Sequence, residues 1–123
     1  MDKKRTVIIG ATPNPSRYAY RAAHMLDHHG HTFIPVGIKK GEVAGKTILD
    51  LRQQPPVEEV DTVTLYIGPQ NQPEWEDYIL SLQPRRIIFN PGTENPPFAK
   101  KAARQGIETE EACTLVMLQL GMF

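Results

Sequence analysis

The chain's 123 residues suffice for one ordinary domain with a real core and leave little room for a second, so residues 1–123 are read as a single unit. Lysine plus arginine balance aspartate plus glutamate at 14 each, which lacks the basic excess of a general nucleic-acid binder. Cys113 is the sole cysteine, excluding an intramolecular disulfide and a multi-cysteine zinc site, and no apolar run approaches the roughly 20 residues of a bilayer span.

The opening "MDKKR" is basic, but the apolar "TVIIGA" after it is too short for a signal peptide, so a cytoplasmic location is expected, with no membrane or nucleic-acid partner. The nearly continuous apolar run "TVIIG" (Thr6 to Gly10) predicts a strand covered on both faces. From Arg17 to His29, Ala19, Ala22, Ala23 and Leu26 fall at i, i+3, i+4 and i+7, the single apolar stripe of a helix. Ser16 is its expected N-cap, and Gly30 stands where a left-handed terminating residue is wanted. "TFIPV" (Thr32 to Val36) predicts the second strand. The stretch 37–57 holds three glycines and the pair Pro55-Pro56, and reads as a loop with a short helix near Ile48 to Arg52.

"TVTLYI" (Thr62 to Ile67) predicts the third strand, and "RIIF" (Arg86 to Phe89) the fourth. Between them, Glu74 to Leu82 predicts a helix with Trp75, Tyr78, Ile79 and Leu82 on one face, stopped by Pro84. Trp75 and Tyr78 are expected to face the core rather than to offer a stacking platform for bases. A further helix is expected from Pro96 to Gln105, capped by Asn95 and ended by Gly106, with a short fifth strand around Ile107 to Thr109. The tail "EEACTLVMLQLGMF" reads as helical and apolar over most of its circumference, hence buried or part of a subunit contact, with a homodimer as the assembly it suggests. Strands alternating with helices predict βαβ units and a mostly parallel sheet of about five strands with right-handed crossovers.

The segment "VIIGATPNPSRYAYRAA" is where such a sheet usually seats a phosphate-bearing ligand, because the following helix offers free N–H groups and the positive end of its dipole. Gly10 permits a sharp exit from the strand. Ala11 and Thr12 are small enough for an oxyanion to approach the backbone, and Thr12 adds a hydroxyl. Arg17 would supply a charge-assisted contact. Pro13 and Pro15 remove two N–H donors, and neither GxGxxG nor GxxxxGK[ST] is present, so the pattern is met equally by an empty structural turn. Tyr18 either covers a ligand or is a surface aromatic. After the second strand, Lys39 and Lys40 stand where an NAD site wants an acid for the ribose diol, which disfavours NAD and suits a ligand with an extra ribose phosphate, CoA or NADP. The alternative for the two lysines is an ordinary solvated loop pair.

With those residues in view, the chain resembles the small stand-alone CoA-binding proteins, which are similar to the Rossmann-like amino-terminal domain of the succinyl-CoA synthetase α-subunit. The resemblance rests on "IIGATPNPSRYAYRAA", "HGHTFIPVGIKKGEVAGKTIL", "VDTVTLY", "IIFNPGTEN" and "GIETEEACTLVML", in that order and spacing. It implies an α/β Rossmann-like three-layer sandwich, with CoA or acyl-CoA as ligand and NADP as the lesser alternative. It implies that the loop Gly10, Ala11, Thr12, Pro13, Asn14 to Arg17, with Tyr18 beside it, cradles the CoA phosphates, with Lys39 or Lys40 as cationic partner. It further implies that Ile67, Gly68 and Pro69, and Asn90, Pro91 and Gly92, flank the adenosine or pantetheine. The chain departs from many relatives in having Ile67-Gly68 for an Arg pair and Gly37-Ile38 for Asn-Pro. The synthetase's phosphorylated histidine belongs to a later domain, so ligase chemistry does not transfer.

No catalytic constellation emerges. Cys113 lies in an apolar segment and is expected in the core rather than as a nucleophile. His24 and His28 are i and i+4 on a helix face opposite the apolar stripe and are expected in solvent, so no metal site is expected. Glu94, the acid nearest the presumed pocket, reads as a helix N-terminal charge rather than a general base. The expected function is a CoA or acyl-CoA binding module without catalysis, a carrier, sensor or partner module. The alternatives are an NAD(P)-dependent enzyme on the same scaffold and a ligand-free interaction module.

Overall fold

The computed structural model describes residues 3–123. Its strands are β1 (Thr6–Ile9), β2 (Phe33–Gly37), β3 (Glu42–Val43), β4 (Lys46–Thr47), β5 (Leu49–Asp50), β6 (Thr62–Leu65), β7 (Arg86–Phe89) and β8 (Glu108–Glu111). Its helices are α1 (Tyr18–His28), α2 (Glu76–Ser81), α3 (Pro96–Ala103) and α4 (Thr114–Gln119). The main sheet has six strands in the order β5-β2-β1-β6-β7-β8, and every pairing in it is parallel. Helices on both faces make it the α/β Rossmann-like sandwich the alternating pattern demands.

Period-two alternation along the buried strands sorts the core into two layers. Val7, Ile9, Val63, Leu65, Ile87 and Phe89 face α2 and α3, meeting Ile79, Leu82, Phe98 and Ala102. Phe98 meets Phe89 edge-to-face, with ring centroids 5.7 Å apart. On the other face Ile8, Phe33 and Ile88 meet Ala19, Ala23 and Leu26 of α1, with Leu118 of α4 and Phe123 beyond it. The predicted stripe Ala19, Ala22, Ala23 and Leu26 is the buried face of α1, and its alanines let the helix lie close on the sheet. Full burial of a side chain such as Leu26 contributes about 2 kcal/mol.

Four local expectations change. Ser16 does not cap α1: Arg17 occupies that position with no side-chain cap, and the Ser16 N–H and hydroxyl both donate to Asn14 Oδ1. The helix expected near Ile48 to Arg52 is strand β5, which adds the sixth strand beside β2, followed by a single 3₁₀ turn over Leu51–Gln53. Ahead of it β3 and β4 pair as an antiparallel hairpin whose tip, Ala44 and Gly45, takes positive φ. The tail is not helical throughout: its first two residues, Glu110 and Glu111, complete the edge strand β8, the short strand expected around Ile107 to Thr109, and only Thr114–Gln119 is helix, with Leu115 and Leu118 buried and Val116, Leu120 and Met122 exposed. Cys113 is half-buried rather than in the core, because it is the extended residue that turns the chain from β8 into α4.

At the sheet end opposite the carboxyl termini of the strands, Phe123 closes the α1–α4 layer. Arg86 stands over its ring at 4.5 Å, donates to its carbonyl oxygen and pairs with Glu110 at 3.2 Å. The buried His31 meets the same ring edge-on at 4.9 Å. Its Nδ1 accepts the Lys4 N–H at 2.9 Å, so the ring is neutral with its proton on Nε2, which finds no partner among the described residues. Burial, then the charges of Lys3, Lys4, His29 and Arg86, hold its pKa below the ordinary imidazole value.

A base whose folded pKa is depressed binds its proton more readily unfolded, so its contribution to stability is complete above about pH 6.5 and is lost as pH falls through the folded pKa. Thermal unfolding followed by circular dichroism should therefore show the melting temperature falling as pH drops from about 6.5 toward 5. His31→Asn retains an acceptor for the Lys4 N–H without a titrating group and should flatten that slope.

Candidate functional site

The carboxyl ends of β1, β2, β6 and β7 open onto a cleft of about 850 Å³. The chain runs from β1 outward to β2 and β5, then crosses back to place β6 on the other side of β1. The connections leaving β1 and β6 run in opposite directions, toward β2 and toward β7, and cannot fill the space between them, and the cleft occupies that switch point.

Two glycines make the cleft possible. Gly10, at φ +99°, leaves β1 against Tyr66 and Ile67: a Cβ there would stand 3.1 Å from the Tyr66 carbonyl. Gly37, the last residue of β2, backs directly onto the loop after β1, and a Cβ on it would lie 2.3 Å from the Ala11 carbonyl oxygen. The loop is further held by Gly10 and Ala11 N–H groups that both donate to the Val36 carbonyl, at 2.9 and 3.0 Å.

The loop then satisfies much of itself. The Asn14 N–H donates to Thr12 Oγ1, the Ser16 N–H to Asn14 Oδ1, and the Arg17 N–H to the Asn14 carbonyl. Pro13 and Pro15 have no N–H to offer. Among the described residues this leaves four backbone donors without a partner between Gly10 and Tyr20: those of Thr12, Tyr18, Ala19 and Tyr20. Three of them are the first turn of α1, where the helix dipole presents its positive end.

Of the residues singled out in the sequence, Gly10, Ala11, Thr12, Asn14, Arg17, Tyr18, Lys39, Ile67, Gly68, Pro91 and Gly92 all line this cleft. Four do not. Pro13 packs instead against Gly41 ahead of the hairpin. Lys40 is exposed outside the lining; the Asp50 carboxyl, held below its ordinary range mainly by hydrogen bonds from Arg52, receives only a smaller contribution from the Lys40 charge. Pro69 is exposed at the start of a 3₁₀ turn, Pro69–Asn71. Asn90 is buried, and its amide is consumed: Nδ2 donates to Thr64 Oγ1 and the Leu65 carbonyl, and Oδ1 accepts the Thr114 N–H. It ties α4 to the sheet beneath the cleft.

The cleft also contains residues that the sequence did not mark. Trp75 packs on the core yet lines the cleft as well, so its two expected roles are not exclusive, whereas Tyr78 is buried with its hydroxyl donating to the Pro55 carbonyl. Tyr66 contributes a floor aromatic, and burial pushes its phenol up to about 12, so it is neutral at any ordinary pH. Glu74, Asn71, Thr93, Ile38 and Leu51 complete the walls with Ala19. Glu94 is not among them, because its carboxylate folds back to accept the Gly92 N–H at 2.9 Å. The fully buried Gln72 joins the two far loops, its Nε2 donating to the Ile67 and Thr93 carbonyls at 2.8 and 2.7 Å and its Oε1 accepting from Asn95. A buried glutamine in a polar loop carries no sequence pattern that would reveal it. His24 and His28 are exposed, and no cluster of metal-ligating side chains occurs among the described residues. Nor does any helix among them have the length and apolarity to cross a membrane.

The sequence matches the family described as CoA binding domain over residues 4–119. A crystal structure of an uncharacterized protein is 58% identical, with a TM-score of 0.96 over 100% of both chains. A hypothetical protein from Pyrococcus horikoshii OT3 is 24% identical with a TM-score of 0.83 over 96% of this chain and 83% of that one. The cell-free ID.343 structure from Thermus thermophilus is 22% identical with a TM-score of 0.82 over 98% and 91%. The last two likenesses concern the fold alone. No curated protein matches the sequence.

Two substitutions test the architecture of the cleft. Gly37→Ala forces its methyl group into the Ala11 carbonyl and should cost about 1–3 kcal/mol in chemical denaturation, the range of overpacking. Gln72→Leu keeps the volume but leaves two loop carbonyls without their donor, and should cost about 2 kcal/mol while raising amide exchange in residues 67–72 and 91–95.

Proposed function

The chain belongs to the CoA-binding domain family, and from that premise we propose that its cleft holds CoA or acyl-CoA, as a module without catalysis of its own that serves as carrier, sensor or partner. The observation that carries this reading is the convergence on one cleft of three unpartnered backbone N–H groups, those of Thr12, Tyr18 and Ala19, and two cationic side chains, Arg17 and Lys39. A diphosphate suits the first turn of α1 and the Arg17 guanidinium, because both supply N–H donors and positive potential at the same place. A second phosphate, on the ribose, suits Lys39 beyond β2.

NAD is served poorly by this arrangement, since β2 is followed by Ile38, Lys39 and Lys40 and by no acid to accept from a ribose diol. The titratable side chains of the cleft are Arg17, Tyr18, Lys39, Tyr66 and Glu74, which hold no nucleophile beside a base. That supports binding without covalent chemistry. The half-buried Cys113 does not line the cleft.

Isothermal titration with CoA, dephospho-CoA and NADPH tests the reading. CoA should bind, and dephospho-CoA about tenfold more weakly, the loss expected for one charge-assisted contact. Arg17→Ala should weaken both by a similar factor, whereas Lys39→Ala should erase the difference between them. Tighter binding of NADPH than of CoA would replace this reading with a nicotinamide enzyme.

A further inference from the structure

We infer that the cleft discriminates acyl-CoA ligands by the charge of the acyl group, admitting neutral acyl chains and rejecting those that end in a carboxylate, with Glu74 as the residue that sets this preference. The inference rests on the CoA reading above and extends it to the far end of the ligand.

The cleft has two electrical poles. Arg17 and Lys39 lie on the walls contributed by the β1 and β2 loops, together with the free N–H groups of α1. The opposite wall, from the β6 and β7 loops, carries one charged side chain, Glu74. Arg17, Lys39 and Glu74 all line the cleft, and each lacks a side-chain hydrogen bond or ion pair among the described residues, so none is neutralised by a bonded protein partner. No ion pair joins Glu74 to a cation among the described residues. Lys101, the basic residue paired on that side of the sheet, is held by Asp77 and Glu76.

A ligand with three phosphates at one end can lie across such a cleft in only one favourable direction. Its phosphates go to Arg17, Lys39 and the α1 terminus, and its thioester end goes toward Trp75 and Glu74. There the half-buried Trp75 offers apolar surface to a hydrocarbon, while Glu74 opposes a second negative charge. An acyl group ending in a carboxylate meets like charge with no compensating cation. A neutral acyl group meets none.

The experiment compares CoA, acetyl-CoA and succinyl-CoA by calorimetry on the whole chain at low salt and again at 0.5 M salt. Acetyl-CoA should bind about five- to tenfold more tightly than succinyl-CoA at low salt, and the gap should shrink at high salt. Glu74→Gln should close the gap at low salt, and Glu74→Lys should reverse it. Equal affinity of the wild-type chain for the two acyl-CoA species, at both salts, overturns the inference while leaving the CoA reading intact. Binding of none of the three overturns both. If Glu74→Gln alters the CoA to dephospho-CoA ratio rather than the acyl ratio, the ligand lies the other way round and the inference fails. The salt comparison on the unsubstituted chain needs no variant to fold.

Discussion

The contact on which the site depends is the one between the end of β2 and the loop leaving β1. There the Gly37 α-carbon sits against the Ala11 carbonyl with no space for a side chain, and the Val36 carbonyl takes both the Gly10 and Ala11 N–H groups. Those two hydrogen bonds extend the β1–β2 ladder past the last regular pair, Ile9 with Val36. The loop therefore leaves the sheet late and close to it, which delivers the first turn of α1 over the switch point. Gly10 does the matching work on the other side, where β1 passes the Tyr66 carbonyl. A side chain at either position would push the loop outward and close the cleft from below.

Given that frame, the paucity of glycines in the loop is less of an obstacle than the motif patterns suggest. A glycine-rich loop recognises phosphate with many backbone amides. Here most of the loop amides are spent internally, on Thr12, Asn14 and Val36, so that the two prolines remove donors that the geometry would not have offered to a ligand. What remains free is concentrated at the start of α1. Recognition of an anion then falls to one helix terminus and to side-chain charge, and the cleft places Arg17 and Lys39 there. The loop is stiff and positioned, rather than flexible and enveloping.

Much of this was legible in the sequence because the physical signals were local and periodic. The apolar runs at β1, β2, β6 and β7 and the alanine stripe of α1 arise from burial on defined faces, which leaves a pattern along the chain. Strand β5 was not legible: two residues, one of them exposed, cannot show a period, and their pairing with β2 is a tertiary fact. The capping role expected of Ser16 failed for a related reason. Asn14 reaches both its N–H and its hydroxyl, and the helix starts two residues later, so a local hydrogen-bond competition decided the boundary. Trp75 and Glu74 were hidden by the 3₁₀ turn Pro73–Trp75, which breaks the helical spacing that assigned Trp75 to the core face alone.

Asn90 illustrates why a place at a strand end does not by itself make a ligand contact. It follows Phe89, whose ring is committed to the α2–α3 layer, so the pleat turns the Asn90 side chain to the opposite face, toward Thr64 and the start of α4. There it meets three buried polar groups: the Thr64 hydroxyl, which also bonds the Thr114 hydroxyl, the Leu65 carbonyl and the first N–H of a helix with no side-chain cap. One amide answers all three because it carries donor and acceptor on the same short arm. Pro91 and Gly92, one and two residues on, have already left the pleat and reach the cleft. The same peptide segment thus fixes the carboxyl-terminal helix to the sheet and forms a wall of the site. The carboxyl-terminal helix is coupled to the cleft through this buried residue, although α4 itself contributes no residue to the cleft lining.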